Sequence, residues 1–233
     1  MALTEICIIF LANLFACFCE GGFGFGGSLI FITLTLPFLG WSTSIFTDCL
    51  LAILNLTFTS FLYREDIQIR TEVLPAALIG LLPLSAGILI FGYIPEIYRI
   101  IPFVFVGVTL LFTFSPKKIK IYPAVSALSI GFANTEAPFG YLYFQVKDGG
   151  IGNTSLFTAI LLLVKVILLI FLWQNIRYPN MWFIFILALC GLPAAYLGKK
   201  CFSGISKDRR HKIVKFGMLV ILIILMVGGL NDR

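Results

Sequence analysis

Glu20-Gly21-Gly22-Phe23-Gly24-Phe25-Gly26-Gly27-Ser28 interrupts an otherwise unbroken apolar sequence, and its reading decides the fold. Five glycines in nine residues do not sustain a continuous helix, since each costs about 1 kcal/mol in a helix interior. Unwound backbone at membrane depth survives only where it is buried in protein or lines a cavity. The stretch is therefore a candidate site. A second interruption, Asn134 to Gly140 (NTEAPFG), stands at the corresponding place in the second half of the chain.

The sequence around these two breaks is that of a membrane protein. Of 233 residues, 60% are hydrophobic and 12% charged, with a mean hydropathy of +1.03, whereas a soluble domain carries about 25% charged residues. Several apolar runs of roughly 18 to 22 residues can each cross a hydrocarbon layer of about 30 Å, and no long polar insertion suggests a soluble domain. Met1 to Glu5 lacks a basic segment, so the first helix is expected to be retained rather than cleaved. The net charge of +6 resides in short loops, where topology calls for it, and no nucleic-acid partner is expected. The cysteines Cys7, Cys17, Cys19, Cys49, Cys190 and Cys201 form no CxxC pair, and the single histidine is His211. No metal site and no cofactor are expected.

Taken in order, Leu3 to Cys19 reads as an apolar helix ending at Glu20, and Leu29 to Leu39 as a shorter one closed by Pro37 and Gly40. Spans follow over Thr43 to Tyr63, Val73 to Phe91 and Ile100 to Phe114. The pattern then restarts. Tyr122 to Ala133 precedes the second break, Tyr141 to Val146 is a short return, and Ser155 to Trp173, Asn180 to Lys199 and Ile213 to Leu230 complete the set. At an offset of 110, Gly40 falls on Gly150, Pro83 on Pro193, Arg99 on Arg209 and Gly107 on Gly217. At an offset of 116, Glu20 falls on Glu136, Phe23 on Phe139 and Gly24 on Gly140. The chain reads as a duplicated unit, 1–115 and 116–233.

Basic residues then choose the topology. If the first helix and the post-break segment of each half form a hairpin returning to its starting side, one face collects Arg64, Arg70, Lys117, Lys118, Lys120, Lys147 and the seven residues from Lys199 to Lys215, thirteen in all. The other face holds Arg99, Arg177 and Arg233. If every helix crosses, the bias disappears. The expected fold is an all-α polytopic membrane protein of two inverted repeats, each a broken-helix hairpin plus three transmembrane helices, with both termini outside.

Inverted repeats with broken helices are the architecture of many secondary transporters, whose substrate sits near the midplane where the breaks meet. Half-helix N-termini offer unpaired N–H groups and partial positive charge, which suits an anion. Gly24, Gly26, Gly27 and Ser28 would supply such donors in the first break, and Asn134, Thr135 and Gly140 in the second. Lys165 lies mid-span, where a charge costs about 2.5–3.5 kcal/mol, and Asn55 is its partner at offset 110. It reads as a substrate counterion, or as a partner to Glu136 or Glu20. Glu20 and Glu136 read either as proton-coupling groups or as hydrogen-bond partners of the loose glycine backbone. Asp48 reads as an acid near a helix N-terminus, and Trp41, Trp173 and Trp182 as interfacial anchors.

These residues resemble the sulfite exporter TauE/SafE family of membrane transporters. The resemblance rests on Gly24-Phe25-Gly26-Gly27-Ser28, then Pro37-Phe38-Leu39-Gly40, then Thr47, together with the two-half layout and the chain length. In the second half, Asn134 to Gly140 lacks the glycine cluster, and Gly152-Asn153-Thr154-Ser155 only approximates the threonine step. The resemblance implies export or uptake of sulfur oxyanions or organosulfonates, here read as export by a carrier in a bacterial inner membrane, with Thr47 among its site residues; Asn55 joins them as the repeat partner of Lys165. The expected partners are a small anionic substrate, the lipid bilayer and, for a homodimer, a second copy of the chain. Uptake of thiosulfate or another sulfur compound with the help of membrane cysteines, a membrane thiol or redox protein using Cys17, Cys19, Cys49 and Cys190, and a passive anion channel are the alternatives. Cysteine-accessibility labelling is expected to find positions 118 and 207 both on the cytoplasmic face; opposite faces would contradict the hairpin topology.

Overall fold

A computed structural model describes residues 3–24, 26–94, 122–134, 150–172 and 180–206, with single positions at 140, 143, 144, 209, 212, 213, 216 and 220. The described residues are helices and short connections, with no strand among them. The helices are α1 (Leu3–Phe23), α2 (Gly27–Leu62), α3 (Leu74–Tyr93), α4 (Tyr122–Ala133), α5 (Gly150–Leu172) and α6 (Met181–Ser203). Five of them, α1, α2, α3 with the π-type turn Ile69–Val73 before it, α5 and α6, are long and apolar enough to cross a membrane. Leu82 is 83% exposed and Phe171 77%, a cost in water that lipid removes. The chain is built as an integral membrane protein. The expected span Ile100 to Phe114, most of the return Tyr141 to Val146 and most of Ile213 to Leu230 lie outside the described residues, as do Thr135 and Glu136.

The first break is narrower than the glycine count suggests. Helix α1 continues through Glu20, Gly21 and Gly22 to Phe23, and Gly24 N–H still donates to Glu20 O at 2.7 Å. Packing outweighs propensity here. A side chain on Gly21 would run into the Ala195 backbone, and one on Gly22 into the Phe202 ring, so both glycines serve a close helix contact of the kind small residues permit in membranes. The backbone leaves the helix at Gly24 (φ 77) and Gly26 (φ 91), left-handed conformations that glycine adopts at little cost.

Helix α2 is two helices joined at Gly40, whose φ of 71 and ψ of 170 are not helical. Pro37, expected to help close the first piece, lies inside it. Residues 27 to 39 rise only about 20 Å at 1.5 Å per residue, too short to cross the bilayer. The piece folds back beside the next one, with Thr35 Oγ1 3.4 Å from Ser44 Oγ. Gly150, which begins α5, has a positive φ of 50. That helix starts five residues earlier than the expected Ser155, so Asn153 and Thr154 belong to its first turn.

Contacts fix the directions. Helices α1 and α6 run parallel: Asn13 Nδ2 donates to Leu187 O at 2.7 Å, and further along Gly21 meets Ala195 and Gly198 meets Phe18 and Gly22. Helices α3 and α4 are also parallel, Gly80 facing Ala127 and Gly87 facing Gly131. Helices α2 and α5 are antiparallel, since Gly152 at the start of α5 lies against Tyr63 O at the end of α2, while Lys165 and Asp48 share a partner further along.

One end of the bundle is tied by polar contacts. Lys199 Nζ donates to Leu62 O at 2.5 Å and lies 4.4 Å from the Tyr63 ring centroid. Tyr63 Oη donates to Gly21 O at 2.9 Å, and Gln68 N–H to Asn153 Oδ1 at 2.7 Å. Arg64, Arg70, Lys199 and Lys200 gather at this end. Trp41 packs on Phe91 at 6.3 Å between centroids at the other, where α6 begins with an exposed Trp182 capped by Asn180. Gly198→Val, which forces α1 off α6, is expected to destabilise the detergent-solubilised protein by about 1–3 kcal/mol. Gly204→Ala, with nothing within 4 Å of the added carbon, is expected to leave the melting temperature unchanged, and thermal melts of the two variants check this.

Candidate functional site: a buried polar chain between the two breaks

Helix α4 ends in a left-handed residue, Asn134 (φ 51), whose N–H closes the last turn onto Ile130 O at 3.1 Å. Asparagine is, after glycine, the residue most at ease in this C-terminal position. Carbonyls at a helix end have bonding capacity that the helix does not fill, and Lys165 of α5 donates to those of this last turn. Its Nζ donates to Ile130 O at 2.6 Å, to Gly131 O at 3.0 Å and to Asn134 Oδ1 at 2.5 Å. An ammonium has three donors, and all three are used, at the end of a helix whose dipole favours a cation.

Asn134 is equally committed. Its Nδ2 donates to Ile45 O at 2.8 Å and to Asp48 Oδ2 at 2.9 Å, while its Oδ1 accepts from Lys165 and from Cys49 Sγ, the latter at 3.1 Å. The Asp48 carboxylate also accepts from Ser28, the second residue of α2 and part of the first break. Ser28, Asp48, Asn134 and Lys165 are at most 3% exposed. Together they form one hydrogen-bonded chain from the first break to the second, with a carboxylate and an ammonium held apart by a single amide. A buried charge is tolerable only when paired and hydrogen-bonded, and the chain satisfies both ions.

Glu20 belongs to the same region. A side chain carbon on Gly27 would collide with its Oε1 and lie 2.5 Å from its Cδ. Only glycine leaves room for that carboxylate at the N-terminus of α2, where the helix dipole favours negative charge. The first-break donors expected for a substrate thus face an anion of the protein itself.

The other expected residues divide. Gly24 packs on Ile151 of α5, and Gly140 lies with Ser126 Oγ 3.1 Å and the Phe157 ring 3.5 Å from where its side chain would begin. Asn55 sits in a separate node, donating through Nδ2 to Cys17 Sγ at 2.8 Å, with Gly191 and Asn13 alongside. Thr47 is buried, its hydroxyl without a hydrogen-bond partner among the described residues. Within the described residues Lys165 binds helix-end carbonyls and Asn134 rather than Glu20; its other expected partner, Glu136, lies outside them. Asp48, read from sequence as a helix-terminal acid, is the link between the breaks; its one visible signal was an acid inside an apolar span. The cysteines are free thiols, two of them, Cys17 and Cys49, hydrogen-bonded to asparagines.

Compared with family models, with proteins of known function and with solved structures, the chain matches none. Removing one ion of a buried pair costs about 3–5 kcal/mol, whereas removing both is far less damaging. Lys165→Met alone is therefore expected to lower unfolding stability by about 3–5 kcal/mol, and Lys165→Met with Asp48→Asn to recover most of it, as read by denaturant titration in detergent.

Proposed function

We propose that the protein is a secondary transporter of a small anion, a sulfur oxyanion or organosulfonate, working by alternating access between two inverted repeats. The observation that carries this reading is the buried chain Ser28, Asp48, Asn134 and Lys165, which ties a break in one half to a break in the other. Carriers with broken helices bind substrate at such a junction.

The helix contacts support the repeat. The first helix of each half packs in parallel on the second transmembrane helix of the other after the hairpin, α1 on α6 and α4 on α3, while the equivalent helices α2 and α5 cross antiparallel. Such an exchange follows from a twofold axis in the membrane plane. Asn55 and Lys165, equivalent at offset 110, each reach the first helix of their own half, and Gly40 and Gly150 both have positive φ. The basic end of the bundle, with Arg64, Arg70, Lys199 and Lys200, is the cytoplasmic one under the positive-inside rule, which leaves Leu3 on the outer side. A bacterial inner membrane is proposed as the protein's location on the family resemblance alone.

The sulfur chemistry rests on the first-half motif, and membership of the TauE/SafE family is proposed on that ground alone. Lys165 is the one cation among the buried chain and would meet the anion by giving up a carbonyl or the Asn134 oxygen. Glu20 and Glu136 are the acids nearest the two breaks in sequence. For a bare anion the membrane potential drives export by about 2.3 kcal/mol per charge per 100 mV.

Binding of sulfite, thiosulfate, sulfoacetate, sulfate and chloride by thermal shift tests this, wild type beside Lys165→Ala. A ligand at 100 times its Kd stabilises by about 2.7 kcal/mol, and each kcal/mol raises Tm by about 2–4 °C in a chain of this size. The expected result is a shift with one sulfur anion that the variant loses. A panel without any shift would contradict the anion reading.

A further inference from the structure

Asp48 and Lys165 are oppositely charged, buried to within 3% and 1% exposure, and share one amide. Among the described residues, the charged and titratable groups that act on Asp48 or on its neighbours are Lys165 on α5, Cys17 and, through Cys17, Glu20 on α1, and Cys49 on its own helix. Helices α3 and α4, and α6 before Lys199, contain no carboxylate, lysine, arginine or histidine. Glu20 lies over Gly27 at the positive end of α2, so its charge is matched by the helix terminus. Among the described residues, charge balance across α2, α4 and α5 at the junction therefore reduces to one acid and one base; Glu136 lies outside them.

That balance differs between the empty and the loaded junction. Empty, the Asp48 carboxylate and the Lys165 ammonium sum to zero. A bound monoanion claims the ammonium and leaves the carboxylate without its counterion, a net negative charge inside the hydrocarbon layer, where uncompensated charge is disfavoured. A proton on Asp48 restores neutrality. On the anion-carrier reading, on which this inference rests, we propose that Asp48 is the coupling residue of an anion–proton symporter. The proton enters from the side where the anion binds, rests on an Asp48 carboxylate oxygen, and leaves with the anion on the opposite side. No covalent bond other than that O–H is made or broken. The empty and the doubly loaded junctions are both neutral and both able to reorient; the junction holding the anion alone is not. Cotransport of one monoanion with one proton moves no net charge, so the membrane potential no longer favours export, and an inward proton gradient drives uptake.

The linkage has a fixed sign. Over the pH range in which Asp48 is ionised in the empty protein, each unit of rising pH weakens apparent anion affinity by about tenfold, because binding takes up one proton. Asp48→Asn has a different signature: with a neutral residue at 48 the loaded junction is neutral but the empty one carries Lys165 unmatched. Such a variant would exchange anion for anion while losing net transport.

The test uses the full-length protein in liposomes with methanesulfonate, a monoanion that stays ionised through the neutral range, and an internal pH dye, with potassium and valinomycin clamping the potential. Wild type is expected to acidify the lumen as methanesulfonate enters, at one proton per anion. Asp48→Asn is expected to keep counterflow of labelled methanesulfonate and to lose net uptake and acidification; Asp48→Glu, which retains a carboxylate, is expected to keep the proton signal. Methanesulfonate entry without protons in wild type would overturn the symport, and so would undiminished acidification in Asp48→Asn, whereas no entry of methanesulfonate, thiosulfate or sulfoacetate would overturn the anion-carrier reading beneath it. If Asp48→Asn fails to reconstitute, the wild-type ratio still decides.

Discussion

The hydrogen bonds of Asn134 are the constraint on which the rest of the arrangement depends. One amide donates to Asp48 and to the Ile45 carbonyl and accepts from Lys165 and Cys49, which exhausts its bonding capacity. Because Asn134 ends α4 in a left-handed turn, the amide is fixed in direction by backbone that cannot be shifted without unwinding the helix. Two ions that would each be intolerable alone in an apolar bundle are made tolerable by this one side chain. The amide at the end of α4 joins the crossing piece of α2 to the middle of α5, and Asp48 extends the chain to Ser28 in the return helix after the first break.

Glycine sets the scale of everything around that centre. The parallel pairs α1 with α6 and α3 with α4 approach until backbone touches backbone, at Gly21, Gly198, Gly87 and Gly131. In lipid, where burial of apolar surface gives no net drive, close contact of this kind and interhelical hydrogen bonds hold helices together. The consequence is a closely packed bundle in which 1–115 and 116–233 are joined at its centre by the Asp48 to Asn134 contact. At the basic end the bond from Lys199 to Leu62 is a second polar contact between 1–115 and 116–233.

Much of the helix order could be read from composition, since apolar runs of this length have few other uses. The place of the first break was also legible, but not its width: Gly21 and Gly22 look like helix breakers until Ala195 and Phe202 are seen against them, and those contacts come from residues some 170 positions away. Lys165 drew attention because a lysine in mid-span is costly, and Asn134 because it followed a helix. Their pairing could not be read, since carbonyls at a helix end carry no residue-specific signal. Asp48 was undervalued because an acid in the first turn of a helix has an ordinary explanation; only its neighbours distinguish the two roles.

The central claim is that Asn134 of the second half touches the Asp48 and Cys49 turn of the first, and the native thiol of Cys49 makes it directly measurable. Asn134→Cys, in a protein keeping Cys49 as its other cysteine, places two sulfurs where a 3.1 Å contact now lies, within reach of disulfide geometry. With a protease site inserted after residue 115, mild oxidation should leave the two cut halves joined on a non-reducing gel and separated on a reducing one. Halves that separate without reductant, after oxidation that links a known close pair in the same membranes, would contradict the account.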